Sequence, residues 1–531
     1  MPGMSGAVSP AIVCLSVGKR REKKNQVNFI LRDFYKKRSV RAEKYKNPTD
    51  LCIEKRAFAL YNIECPYGGE TGMPGGKMPQ GRPEKFCRER NYTMETKHYD
   101  IIVAGGGFAG SAAAIAAARK GKKVLLVEKY NCLGGAAAYD LINPFMPYWT
   151  NSRKGGRRIL LSRGLFEEIV GRLDEEGGLG EANKLCFNQE ILKYVLMRMA
   201  LESGAELLFQ TYVTGVRREG GKLLSLNVSN VSGTEELSAD FYIDATGDGN
   251  VAFLAGCPYE LGRESDGLCQ PMTLCFRLGN VRGAKPSDRG SVGGDSRTAK
   301  GNPCNAARIN KLYREFQEAG KISNPRENVL IFRTVSDDVL HFNTTRIVRL
   351  DPTNARDVTK AEIEARGQVF EMYRFLKENF EEFKDSVLLS TGIQIGVRES
   401  RRILGEHVLT QEEMIACTKF EDSVCVCNYD IDIHNPDGAG TSHRYFGPEE
   451  YYTIPYRCLV PKDTDNLLVA GRCISATHEA QASLRIMPTC CTLGEAAGTA
   501  AALAVGGGIP AREVDVRRLQ EELIAGGAKL Y

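Results

Sequence analysis

The chain has no run of 18 or more apolar residues, and its alanine-rich stretches from Ala112 to Ala118 and Ala496 to Val505 are too short to span a bilayer. A membrane-spanning role is therefore not expected. It also lacks a disulfide framework: the 17 cysteines are an odd number without secreted-domain spacing, which reads as free thiols in a reducing cytoplasm. Only Cys425-x-Cys427 and Cys490-Cys491 lie close together. No compact cysteine set stands near His434 or His443, so zinc is not supported, and no solenoid-type repeat is present.

At 531 residues the chain is long enough for two or three domains. Its charge is segregated: residues 1–93 carry 19 Lys and Arg against 9 Asp and Glu, in clusters such as Lys19-Arg-Arg-Glu-Lys-Lys, while the region from Pro66 to Pro83 is rich in Gly and Pro. This head has no clear periodicity. The short apolar stretch Ala11 to Val17 precedes the charge, the reverse of a signal peptide. A nucleic-acid arm, a disordered tail and an upstream region read from an early start are the three readings; the third fits best, with Met94 as the start. Basic clusters alone do not establish nucleic-acid binding.

The informative segment begins at His98. Ile101 to Ala104 read as a buried parallel strand, Gly105, Gly107 and Gly110 give the spacing G-x-G-x-x-G, Ala112 to Arg119 read as a helix, and Val124 to Val127 as the next strand. Glycines at these positions let backbone amides approach a pyrophosphate at the positive end of the helix. Glu128, 18 residues after Gly110, is placed to accept hydrogen bonds from a ribose and disfavours a 2′-phosphate. The context of strand, turn, helix, strand and acid predicts a bound dinucleotide in a Rossmann-type, parallel α/β domain.

Further on, Gly134 and Gly135 form a small-residue turn that would pass close to the cofactor. Helices are predicted over Leu165 to Asp174 and Asn188 to Ser203, and strands over Glu206 to Val213, Lys222 to Asn230 and Ala239 to Ile243. Asp244-Ala-Thr-Gly247-Asp248-Gly249 is a second strand-then-glycine turn, and Leu467-Leu-Val-Ala-Gly471-Arg472 a third. Between them the pattern changes to strands, with a helix near Lys360 to Phe383. This gives an expected division into the head (1–93), a cofactor domain in two parts (94–255 and 455–531) and an inserted mixed β/α substrate domain (256–454).

These three turns resemble those of the glutathione-reductase-like superfamily of FAD-dependent oxidoreductases. Gly396-Val-Arg398-Glu-Ser-Arg401-Arg402, Tyr429-Asp-Ile-Asp-Ile-His434 and the stretch from Ser483 to Gly498 narrow the resemblance to bacterial FAD-dependent oxidoreductases grouped with heterodisulfide reductase A-like flavoproteins. It covers nearly everything after Met94. The resemblance implies FAD, with Gly105, Gly107, Phe108, Ala109 and Gly110 at the pyrophosphate, Glu128 and Lys129 at the ribose side, and Val213 at the adenine through its backbone. Gly134, Gly135, Ala245 and Gly247 would line the cofactor, and Gly471 and Arg472 would face its phosphate and ribityl chain. Many relatives have an acid where Arg472 stands.

The same resemblance places the helix start near Cys490 to Gly494 under the flavin ring, where its dipole would stabilise negative charge. Cys490 and Cys491 are then candidates for redox work, although a vicinal pair at a helix start is more often small apolar packing. A 4Fe-4S cluster is suggested by the grouping, but C-x2-C-x2-C is missing and Cys417, Cys425, Cys427 and Cys458 are irregularly spaced. The C-x4-C of the disulfide reductases is missing as well. For proton handling the candidates are His478, just after the third turn, Arg398 and Arg485; the alternatives are a hydrogen-bonded structural histidine and, for the arginines, fixing a carboxylate, stabilising an enolate, or holding interdomain salt bridges or phosphate. The expected activity is hydride exchange between a small organic substrate and flavin. Its rivals are an electron-transfer subunit serving an iron–sulfur partner protein and an RNA-associated flavoprotein.

Overall fold

An apolar run bordered by glycines has to be covered on both faces, and the segment ahead of Gly105 becomes a strand buried along most of its length, β1 (His98–Ala104). The computed structural model describes residues 97–180, 185–284 and 306–531, all within the unit Tyr92–Tyr531. The expectations for residues 1–93 lie outside the described residues.

Helix α1 (Phe108–Arg119) begins four residues before the expected start, because Gly107 takes the N-cap position. Then come β2 (Val124–Val127), α2 (Leu165–Glu175) and α3 (Gln189–Glu202), whose cap Asn188 accepts the amides of Glu190 and Ile191. The strand expected over 206–213 is two: β3 (Glu206–Leu208) and β4 (Tyr212–Glu219), separated where Gln210 adopts a φ of 52°. β5 (Lys222–Asn230) and β6 (Gly233–Asp244) complete this half.

The next stretch forms an antiparallel sheet in the order β8-β9-β7-β10, made of β7 (Phe276–Gly279), β8 (Ile331–Arg333), β9 (Leu340–Phe342) and β10 (Val387–Thr391). Helix α4 (Ala355–Asn379) buries Ala361, Ala365, Val369 and Met372 in the same core. Two hairpin-like pairs follow, β11 (Ser423–Cys427) with β14 (Tyr452–Pro455), and between them β12 (Ile431–His434) with β13 (Thr441–Arg444). The chain then returns through β15 (Leu467–Val469), α5 (His478–Leu484) and α6 (Met487–Gly507).

The main sheet runs β3-β2-β1-β6-β5-β4, with β15 also on β6. The pairs β3-β2, β2-β1, β1-β6 and β6-β15 are parallel, whereas β4 and β5 form an antiparallel meander on the first half of β6. This is the Rossmann-type sheet with an inserted β/α domain.

Two cores divide the chain, and the smaller draws on residues from Met272 to Ile395. The segment from Ile403 to Ile454 lay inside the expected insert of 256–454, yet its apolar side chains Ile403, Leu409, Met414, Tyr452 and Ile454 pack in the larger core. The reason is β11, whose burial in every residue against α6 and β14 ties this stretch to the cofactor sheet.

Candidate active site

A parallel strand presents its ligand-binding loop at its carboxyl end, and the ends of β1, β6 and β15 all reach one cleft holding about 1140 Å³ of empty space. The glycines around it do different jobs. At Gly105, with φ +98°, a Cβ would stand 2.4 Å from the Ala245 carbonyl oxygen, and at Gly110 only 1.7 Å from that of Gly105. Both exist so that the turn can lie against the end of β6. Gly107 is unlike them: a Cβ there would meet only the Gly135 Cα, at 3.8 Å, so its bare face is turned to the cleft it lines. Helix α1 starts there with no capping side chain and no acid in its first turn, leaving its first amides and positive pole to an anion.

Gly134 lines the same cleft, and Gly135, with φ +52°, is pressed so close to Gly107 that a Cβ would stand 2.8 Å from that Cα. Glu128 is buried, and its carboxylate accepts the backbone amides of Gly106 and Tyr130, so it braces the glycine turn itself. Burial raises its pKa. Lys129 does not line the cleft, but its charge is felt by Asp140 and Asp248. Val213 lies on β4, just after Thr211 donates to the Glu128 carbonyl oxygen at 3.1 Å.

Ala245 and Gly247 from β6 and Ala470, Gly471 and Arg472 from β15 form the next wall. Arg472 donates to Asp248 at 2.7 Å and to the Ser400 hydroxyl at 2.9 Å. Burial pushes Asp248 up, but Arg472, Lys129 and Ser400 together hold it below the usual carboxylate range. An acid supplied by the second turn, Asp248, thus stands directly beside Arg472. Gly494 does not face the cleft. It lets α6 cross α1, since a Cβ there would sit 2.0 Å from the Ala109 carbonyl oxygen, and Gly498 repeats the fit against Ala113.

The opposite wall carries Arg398, Arg485, Tyr429, Asp432, His434, Asn343 and Cys490. Arg398 donates to the Pro271 carbonyl oxygen at 2.6 Å and to Thr273, and burial, with Arg326 and Arg485 near it, drives its pKa well down. His434 accepts from Arg346 at Nδ1, 3.1 Å, so its proton sits on Nε2, which faces Asp432 Oδ2 at 3.3 Å. Burial opposes the charge on Asp432, yet His434 and Arg485 keep its pKa far below normal. Cys490 lines the cleft, but burial pushes its thiol up to about 12, so it is not a thiolate at neutral pH.

His478 requires correction as the group beside the cofactor. It is 4% exposed and does not line the cleft; its Nδ1 bonds Glu399 at 2.9 Å, and Glu399 is in turn paired with Arg402. Placed first in α5, it is turned into this ion network behind the wall. The titratable group missed in the sequence is Asp140. It lines the cleft, accepts from Gln394 at 2.8 Å, and burial raises it to about 7. Asp140 belongs to no motif. Asp432 and His434 do lie in a quoted one, and their alternation on β12 sends both to one face.

Among the described residues no group of three or more His, Cys, Asp or Glu is placed to hold a metal ion, and no helix is long and apolar enough to cross a membrane. Among solved structures the chain is similar to a geranylgeranyl bacteriochlorophyll reductase-like protein from Thermoplasma acidophilum, at 14% identity, covering 81% of this chain and 83% of that one, TM-score 0.39. It is similar also to a flavin-dependent brominase, at 14% identity over 80% and 83% of the two chains, TM-score 0.40. A third is p-nitrophenol 4-monooxygenase from Pseudomonas putida DLL-E4, at 10% identity over 81% and 86%, TM-score 0.39. Residues 100–523 match the family described as FAD dependent oxidoreductase, and with most of its length inside that match the chain belongs to this family.

Proposed function

We propose that the protein exchanges a hydride between a small organic substrate and FAD held in the cleft, in the glutathione-reductase-like arrangement. Bound FAD would supply the two-electron chemistry at flavin N5. The observation that carries this reading is Gly107, a residue with open space where a Cβ would be, set at an uncapped helix start beside two other strand ends. The amides of Phe108 and Ala109 would hold the pyrophosphate, Gly134 and Gly247 would let the backbone approach, and Arg472 would reach the phosphate and ribityl side.

The chain's own groups then divide the remaining work. Arg398 and Arg485 stabilise the negative charge that develops on the substrate at the reacting carbon, as on an enolate. Asp140, with its carboxyl range near neutrality, holds or releases a proton at the oxygen not engaged by Gln394. Replacing Gly107 by Ala tests the reading, because its φ of −67° suits alanine and the added methyl meets nothing closer than 3.8 Å in the protein. The variant should fold with an unchanged melting temperature when stripped of flavin, yet purify colourless. Full flavin occupancy would overturn the assignment of this turn.

A further inference from the structure

A second pocket adjoins the cofactor cleft across a wall shared by Met146, Asn343, Tyr429, Asp432 and His434. Two charged groups in its lining are buried with an atom left over. Arg326 is 5% exposed, forms no ion pair among the described residues, and its Nη1 has no hydrogen-bond partner. Burial lowers it only to about 10, so at neutral pH it is a cation. Asp432 is 7% exposed, and while Oδ2 is bonded by Tyr429 and faces His434, Oδ1 has no hydrogen bond. His443 Nδ1 stands 3.7 Å from that oxygen and is committed to Asp430 at 2.6 Å.

Folded proteins rarely leave such atoms without partners, and beside a cavity the partner is supplied by a ligand or by water. The unsatisfied donor and the unsatisfied acceptor define a ligand with both polarities. Rings of Trp149, Phe332 and Phe446 also stand in its lining. We infer that this outer chamber takes a small hydroxy- or amino-carboxylate with an apolar body. Its carboxylate pairs with Arg326, its hydroxyl or ammonium donates to Asp432 Oδ1, and its body lies on the rings. One unpaired guanidinium, with Glu327 and Asp430 also in the lining, suits a monoanion better than a phosphate dianion. Because Asp432 lines both cavities, the carbon bearing the donor lies at the boundary with the cofactor cleft, where an oxidisable carbon belongs. The inference rests on the flavin reading of that cleft.

Calorimetric titration of the FAD-loaded protein with three probes tests it: mandelate, which has ring, hydroxyl and carboxylate; phenylacetate, which lacks the hydroxyl; and benzyl alcohol, which lacks the carboxylate. The better mandelate enantiomer should bind at least about tenfold tighter than either partial probe. Arg326→Met should weaken mandelate and phenylacetate by about tenfold or more and leave benzyl alcohol unchanged, and Arg326→Lys should recover part of the loss. Equal affinities for the three probes, or an Arg326→Met protein with unaltered phenylacetate binding, would overturn the inference. If Arg326→Met does not fold, the wild-type probe series decides alone. Protein that purifies without flavin would refute the proposed function instead, so the two failures are separable.

Discussion

At the crossing of α1 and α6 the larger core brings backbone to backbone, with Gly494 against Ala109 and Gly498 against Ala113. In the smaller core the contact is ring to ring: Phe276 on β7 stacks on Phe342 of β9 with centroids 4.7 Å apart and an interplanar angle of 6°, while Phe375 and Phe380 meet edge-on. The first kind of contact leaves no room for even a methyl group, so it dictates residue identity. The second requires volume and apolarity, which several residue types can supply. The α1–α6 crossing accordingly fixes residue type, whereas the Phe276–Phe342 stack asks for apolar volume.

That contrast is broken most easily by its own extremes. Gly494→Val forces a Cβ to within 2.0 Å of a carbonyl oxygen in an adjacent helix. The expected cost is about 3 kcal/mol or more, seen as loss of soluble, flavin-containing protein; a melting temperature near that of wild type would end the argument for backbone contact. Phe342→Ala should cost about 3–5 kcal/mol by cavity formation. It should spare flavin content at low temperature, since its core contains no residue of the glycine turns. Loss of flavin in step with the smaller core would show that the two cores do not behave separately.

A smaller effect is expected from pH. Glu495 on α6 accepts the Leu165 amide at 3.0 Å, and burial raises its carboxyl from 4.5 to about 7. The folded state then binds a proton that the unfolded state has released between these values, so stability is highest on the acid side and falls as pH rises toward 7. Glu495→Gln keeps an acceptor for Leu165 and should flatten that slope in thermal melts; an unchanged slope would assign the pH dependence to another group. The smallest effect belongs to His478→Gln. With the imidazole behind the cleft wall, flavin reduction should change by less than about threefold, and stability by about 1 kcal/mol for one altered hydrogen bond. A drop of two orders of magnitude would return His478 to the chemistry.

The same contrast explains what could be read from the chain. Gly105, Gly107 and Gly110 were legible because a backbone constraint admits one residue type, and the turns at Gly247 and Gly471 repeat the grammar. Arg398, Arg485 and Cys490 were named as site residues and do line the cleft. His478 was misplaced because proximity in sequence to Gly471 does not fix direction: as the first residue of α5 it points to Glu399. Asp140 and Arg326 carry no pattern at all. Their significance arises from burial, which depends on segments distant in the chain.

The position of β15 has a consequence for how the protein is made. It pairs with Tyr242 to Asp244 of β6, and the Asn466 side chain just before it clamps Leu223 on β5, across the whole insert in sequence. While the ribosome is still translating the insert, β6 keeps a bare edge and α1 has nothing to cross. Completion of the cleft thus waits until β15 and α6 have been made, and a chain terminated before Leu467 retains its nucleotide fingerprint while leaving the edge of β6 exposed for quality control to recognise.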